Sequence, residues 1–469
     1  MSVDATRSRS PSLADWAVVL LGLGLIAGLL VPILGPRNVA VLIGALLAIV
    51  ALVAAPGLLL GLYLLIPFYK GAAQAYVPID LSLILAALNI LQIVAFVIDR
   101  PRGRISRLGL ALWGALALLV LGGVLYAPDQ DLALNRAIDF WILVFAPLAA
   151  GALRVGSDPR YVRQLLWTIL GMGVLTTLLG VPSFSSIDRL TVLGANTINV
   201  AAAALLVPLL GLTFVARDGS PQVRIATIIL IPAALIVALA TGSRGPLLVL
   251  LLVAIPSLVR GVSHLRSLHW SRSLAIAGVG LAILAVVSVA SNDLPALSTS
   301  RFTSLGDFVQ SAVAGDQVNA SNADTSSTAR LSFFDAALTM FKERPVLGFG
   351  TAGFETLSHR LLGEDEAYPH NAVLQFAAEY GVVGLALFIA LVVLGLIRPL
   401  PDRARPLRIL FAYFLLLAML SGDILSDRMT WGLLLVMLVI EAPAVGRAVV
   451  EAPRPREAAP GLGAGAPVR

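Results

Sequence analysis

Histidine is scarce in this chain, four in 469 residues, and one of the four stands where a polar stretch turns back into an apolar run. It lies in Tyr368-Pro369-His370-Asn371, followed by Glu379, Tyr380, Gly381 and Gly384. Pro369 fixes the approach and Asn371 can cap the helix that follows. An imidazole, with an ordinary pKa near 6.5, suits proton transfer at neutral pH; a polar cap is its other use. Arg244 lies in Thr241-Gly242-Ser243-Arg244-Gly245-Pro246, between two apolar runs with almost no loop. An unpaired cation so close to hydrocarbon costs several kcal/mol. It therefore meets an anionic ligand or snorkels to lipid phosphates, and Gly242 and Gly245 leave space for a ligand. Arg189 precedes an apolar run; it either pairs with Asp188, with Asn196 as a helix cap, or faces an anion. Arg330 lies near the edge of an apolar stripe, either solvated or turned toward a site.

Two other groups of residues mislead. Gly348-Phe-Gly350-Thr-Ala-Gly353 fits a dinucleotide fingerprint formally, but no strand–helix–strand pattern surrounds it, and a turn after Arg344-Pro345 is the better reading. Glu364-Asp365-Glu366 has the donors for a divalent cation, yet an acidic loop run is ordinarily just solvated. With no cysteine there is no disulfide, thiolate site or cysteine nucleophile. No metal and no cofactor is expected.

The elements that must position these residues are membrane helices. Of the residues, 58% are hydrophobic and 13% charged, and the mean hydropathy is +0.92; a soluble chain carries roughly a quarter charged residues. The apolar residues come in blocks of about 18–25, the length that crosses a hydrocarbon layer as a helix. The patterning predicts spans at 13–34, 38–54, 57–69, 79–98, 107–126, 137–153, 162–180, 196–216, 223–241, 245–259, 273–291, 371–397, 408–421 and 430–447. Ala55-Pro56-Gly57 would break the second from the third as a tight hairpin. With that hairpin, arginine clusters at 100–107, 154–163, 217–224, 260–272 and 398–408 share one side. The opposite short loops carry mostly single arginines: Arg37, Arg136, Arg189, Arg244 and Arg428. That asymmetry is a positive-inside pattern, and it accounts for the net charge of +6 without nucleic acid.

The expected fold is all-α: a polytopic transmembrane helical bundle of about 12–14 spans, with one large external loop containing amphipathic helices. Its parts are a cytoplasmic segment 1–12, a bundle 13–291, an external loop 292–370, C-terminal transmembrane helices 371–447 and a disordered cytoplasmic tail 448–469. Within the loop a helix is predicted near 328–343, capped by Ser327 or Thr328, with Leu331, Phe334, Leu338 and Phe341 facing the bundle.

The ordered set of Thr241-Gly-Ser-Arg-Gly245, Arg330, Arg344-Pro345-Val-Leu-Gly348-Phe-Gly350-Thr-Ala-Gly353-Phe354 and Pro369-His370-Asn371…Glu379-Tyr-Gly381…Gly384 resembles the O-antigen ligase and polymerase superfamily of bacterial envelope glycosyltransferases. The resemblance runs from about residue 189 to 385. It implies transfer of a glycan from a polyprenyl-diphosphate lipid to an acceptor hydroxyl, such as a lipid A-core, with inversion and without metal or nucleotide sugar. The protein would be a multi-pass protein of the bacterial cytoplasmic membrane, its site facing the periplasm. By resemblance His370 is the base, Arg244, Arg330 and Arg189 hold the donor diphosphate, and Asn371, Glu379 and Asn196 support them. A ligase is slightly favoured over a polymerase, because the polar material sits in one loop. A transporter of lipid-linked oligosaccharide or anions would instead show charges or broken helices at the midplane.

Overall fold

The computed structural model describes residues 54–76, 80–99, 106–181, 190–192, 195–253, 325–363 and 368–440. Among them the structure is helical, with no strand. The helices are α1 (Pro56–Tyr76), α2 (Leu81–Asp99), α3 (Arg107–Tyr126), α4 (Gln130–Gly156), α5 (Pro159–Gly180), α6 (Thr197–Asp218), α7 (Pro221–Ala240), α8 (Arg244–Val253), α9 (Thr325–Glu343), α10 (Gly353–Leu362), α11 (Ala372–Ile397), α12 (Asp402–Ser421) and α13 (Arg428–Val439). Eight of them, α2 to α7, α11 and α12, are long and apolar enough to cross a membrane. The expected spans 13–34, 38–54 and 273–291, the tail and the acidic run 364–366 lie outside the described residues.

Local chemistry explains where the helices begin. Asp129, Asp158, Asn196, Ser220, Asn371 and Asp427 each turn a side-chain oxygen to a backbone N–H of the following first turn. Behind Asp158 and Ser220, Pro159 and Pro221 take the first helical position, where the missing donor is not needed. The helix expected at 137–153 begins earlier, at Gln130, because Asp129 caps it; Arg136 is therefore a helical residue rather than a loop one.

The centre of the bundle is α13, every residue of which is buried. A short helix that is apolar all round belongs to a core. Trp431 stands between Trp113 of α3 and Phe376 and Phe388 of α11, with ring centroids 5.2, 6.3 and 6.0 Å away. The span expected at 430–447 is thus corrected: the helix ends at Val439, and Ile440 leaves it with ψ 133°. Pro443 explains the stop, since it has no N–H to return to the Val439 carbonyl and disfavours helix at the residue before it. Outside the core, Ile225, Ile228 and Ile229 of α7 and Leu91, Val94 and Val97 of α2 are exposed. Apolar side chains on this scale face lipid rather than water, as the sequence requires.

The polar segment is stitched to the bundle by backbone. At Gly381 α11 is broken (φ 61°, ψ −156°), which frees two carbonyls and two N–H groups. Residues 345–350 fill the break. Phe349 and Gly350 donate to the Ala378 and Glu379 carbonyls at 3.0 and 2.7 Å, while Val382 and Val383 donate to Pro345 and Val346 at 2.8 and 3.3 Å. Thr351 is fully buried behind this seam, its hydroxyl bonded to the Val120 carbonyl at 2.6 Å and to the Tyr380 hydroxyl at 3.0 Å. The glycine-rich run is therefore a turn, with left-handed φ at Gly348 and Gly350, and a Cβ at either would collide with backbone of Glu379 or Gly123.

The helix expected at 328–343 exists but starts at Thr325, so Ser327 and Thr328 lie inside it rather than capping it. Its inward face is also corrected. Phe333, Ala336, Ala337 and Met340 are buried, whereas Leu331 and Leu338 are each 40% exposed. Both stripes have helical period; the one with two alanines wins because small residues let α9 approach α11 closely. Phe333 and Met340 then pack with Phe349, Phe354 and Ala378.

Candidate functional site

His370 and Arg330 meet on one cavity of about 580 Å³. Its walls come from α1 (Leu64, Pro67, Phe68), the head of α6 (Asn196, Ile198, Asn199), α9 (Arg330, Phe333), the segment before α11 (Tyr368, His370) and the α12–α13 connection (Ser421, Asp423, Ser426, Asp427, Arg428, Met429). Arg330 reaches it because 330, 333, 337 and 340 share the buried face of α9.

The imidazole is held on both sides. The Phe333 ring stacks on it at 5.6 Å and Tyr368 meets it edge-on at 4.5 Å. His370 has φ 55°, a left-handed backbone that a non-glycine residue adopts at a cost of about 1 kcal/mol. Asn371 anchors the turn: its oxygen accepts from Leu374 N–H at 3.0 Å and its amide donates to the Met419 carbonyl at 2.9 Å. Burial lowers the pKa of His370 from its ordinary value, Arg330 lowers it further, and Asp423 acts in the opposite direction. The ring is thus biased toward its neutral, proton-accepting form.

Asp423 and Arg428 were not singled out as site residues from sequence, and Asp427 was not considered. Asp423 is set by Gln375, whose amide donates to its Oδ1 at 2.9 Å while accepting from Ile424 N–H at 3.0 Å. Asp427 caps α13, accepting from the Thr430 N–H and hydroxyl at 3.0 and 2.6 Å. Arg428 looked like one more topology arginine. The available signal was the density of polar residues in Ser421-Gly-Asp-Ile-Leu-Ser-Asp-Arg428, too many for a simple connection between apolar helices.

The other expected site residues separate. Asn196 lines the cavity while capping α6 through Ile198 N–H at 2.9 Å. Arg244 heads α8 after a turn in which Gly242 has φ 67°, and it is not among the cavity's lining residues. It shares an end of the bundle with His370: a Cβ on Gly245 would come 3.8 Å from Leu420, next to Ser421 of the lining. Arg189 lies outside the described residues. The adjacent Leu190 donates to the Ala240 carbonyl at 3.1 Å, beside the Arg244 turn. Glu379 is buried at 1% exposure and away from the cavity. Its carboxylate accepts from Phe354 N–H at the start of α10, so it caps a helix rather than facing a ligand.

Three of the residues singled out from sequence, Arg330, His370 and Asn196, thus share one cavity with the Asp423 carboxylate. Residues 225–389 match the O-antigen ligase family. The resemblance read from the motifs is thereby borne out over that segment, and the eight long apolar helices make this a polytopic helical membrane protein. No curated protein and no solved structure matches the chain. The O-antigen ligase match contains Arg244, Arg330, His370, Asn371 and Glu379; the walls built from α1, α6 and the α12–α13 connection fall outside it. Among the described residues no group of histidines and carboxylates is arranged to hold a metal ion.

Proposed function

We propose that the protein transfers a glycan from a polyprenyl-diphosphate lipid to an acceptor hydroxyl at the outer face of the bacterial cytoplasmic membrane. The support is the meeting of a guanidinium and a neutral-biased imidazole on one cavity, within a segment that matches the O-antigen ligase family. As the anomeric carbon–oxygen bond breaks, negative charge grows on the leaving diphosphate. Arg330, with Arg244 from the same end of the bundle and with Arg189, stabilises that charge through planar forks without a cation cofactor. His370 takes the acceptor hydroxyl's proton as its oxygen attacks the anomeric carbon from the opposite face, which inverts the configuration. Asp423 then faces the imidazolium and offsets its charge. Asn371 and Asn196 keep the segments carrying His370 and the α6 wall in place.

Sidedness agrees with this reading. α12 runs from Asp402, beside Arg403 and Arg405, to Ser421 at the cavity, so the arginine-rich end and the site are opposite ends of one helix. By the positive-inside rule the cavity opens away from the cytoplasm.

The test is transfer in vitro from a purified polyprenyl-diphosphate glycan, with a chelator present. Wild type is active; His370→Ala and Arg330→Gln are each reduced at least about 100-fold, the scale of a lost acid–base or charge-stabilising group. Transfer that persists in both variants overturns the mechanism. A single added glycan identifies a ligase acting on a lipid A-core type acceptor, and a ladder of lengthening products identifies a polymerase.

A further inference from the structure

The geometry points to Arg428 as a second anion-binding residue of the cavity, gripping the diphosphate together with Arg330. This inference rests on the donor reading above. Arg428 is only 8% exposed, lines the cavity, and its Nη1 is buried with no hydrogen-bond partner among the described residues. Its guanidinium lies 4.8 Å from the centre of the Tyr63 ring, which supports one face of the fork and leaves its edge to a ligand.

The nearby carboxylates are already engaged. Asp80 acts on Arg428 electrostatically but is bridged to Lys70 at 3.0 Å. Asp427 is spent on Thr430, and Asp423 on Gln375 and the Leu425 N–H. Arg428 is also the first residue of α13, where the helix dipole is positive and a cation is disfavoured. A buried guanidinium with an orphaned nitrogen, placed at the positive end of a helix, costs stability. That cost is reversed when an anion enters and pairs with the side chain. A diphosphate carries more oxygens than a monophosphate with which to meet Arg330 and Arg428 at once.

The experiment titrates the full-length protein in detergent with geranylgeranyl diphosphate, geranylgeranyl monophosphate and geranylgeraniol, reading both affinity and ligand-induced thermal shift. Arg428→Gln is expected to weaken diphosphate binding about 10- to 100-fold, the loss for a hydrogen-bonded charge. Alcohol binding and the thermal stability of the ligand-free protein stay as in wild type or the latter rises. Arg428→Lys, which keeps charge but not the fork, recovers part of the affinity. If Arg330→Gln loses diphosphate binding while Arg428→Gln keeps it, the inference falls and the transferase reading stands. If wild type shows no preference for diphosphate over alcohol, both fall. A ligand-free Arg428→Gln that melts early yet keeps the full diphosphate shift marks a packing residue and also overturns the inference. Should that variant not fold at all, Arg428→Lys decides: affinity equal to wild type refutes a role for the fork.

Discussion

Replacing Gly381 by alanine tests the seam that ties the polar segment to the membrane helices. At φ 61° and ψ −156° the residue occupies a region open essentially to glycine alone, at a cost of about 1–3 kcal/mol for any other side chain. The added Cβ would also fall well inside contact distance of the Val346 backbone, so residues 345–347 must move. Movement endangers four main-chain hydrogen bonds, each worth about 1 kcal/mol. Strain and the four bonds together come to at most about 5–7 kcal/mol, paid locally, because α11 can heal by returning its freed N–H groups to its own carbonyls. The bundle should therefore survive while α9 loosens and Arg330 leaves the cavity. Gly363→Ala is the control: its φ of 76° and ψ of 5° lie in the ordinary left-handed region, and among the described residues nothing lies within 4 Å of a Cβ there, so about 1 kcal/mol is expected. Limited proteolysis of residues 325–363, thermal melting of the bundle and diphosphate binding are compared in the two variants. Equal behaviour would refute the seam as the element that holds Arg330 in place.

Transfer by wild type should fall on acidification only below the ordinary histidine range, since burial and Arg330 lower the pKa of His370 and the neutral ring is the active one. In the pH profile of kcat/KM, Asp423→Asn moves that acid limb lower still, and Arg330→Gln moves the residual activity's limb higher; a shift of either in the other direction contradicts the assignment. Thr351→Val, which strands the Tyr380 hydroxyl and the Val120 carbonyl, should destabilise by about 1–3 kcal/mol in chemical unfolding. The Arg136–Glu355 pair at 2.8 Å joins α4 to α10 but is partly exposed, so Arg136→Gln should cost no more than about 1 kcal/mol by the same measurement.

Much of the bundle was legible because hydrocarbon imposes long uniform runs, although the expected spans at 162 and 223 miss the starts that Asp158-Pro159 and Ser220-Pro221 set. What period alone leaves undecided is which of two apolar stripes on one helix faces protein, and α9 shows the reason: Ala336 and Ala337 beat larger side chains through closeness, which hydrophobicity does not record. The break at Gly381 was invisible for a related reason, since its partners lie some thirty residues away in a polar turn. His370 could be singled out from its residue type and setting, whereas Arg330 came only with the ordered motifs of the resemblance. Asp423 and Arg428 are costly where they stand, but a short link between apolar helices hides its burial until the chain is folded.

The cavity's walls are drawn from both inside and outside the matched segment. A graft of residues 225–389 into another chain that matches the same family would carry the imidazole, Arg330 and Arg244, but would inherit the recipient's Leu64–Phe68, Asn196–Asn199 and Ser421–Met429 counterparts. Such a hybrid should react only where the recipient supplies counterparts of Asp423 and Arg428, so that the imidazole travels with the middle while the charges that serve it stay with the flanks.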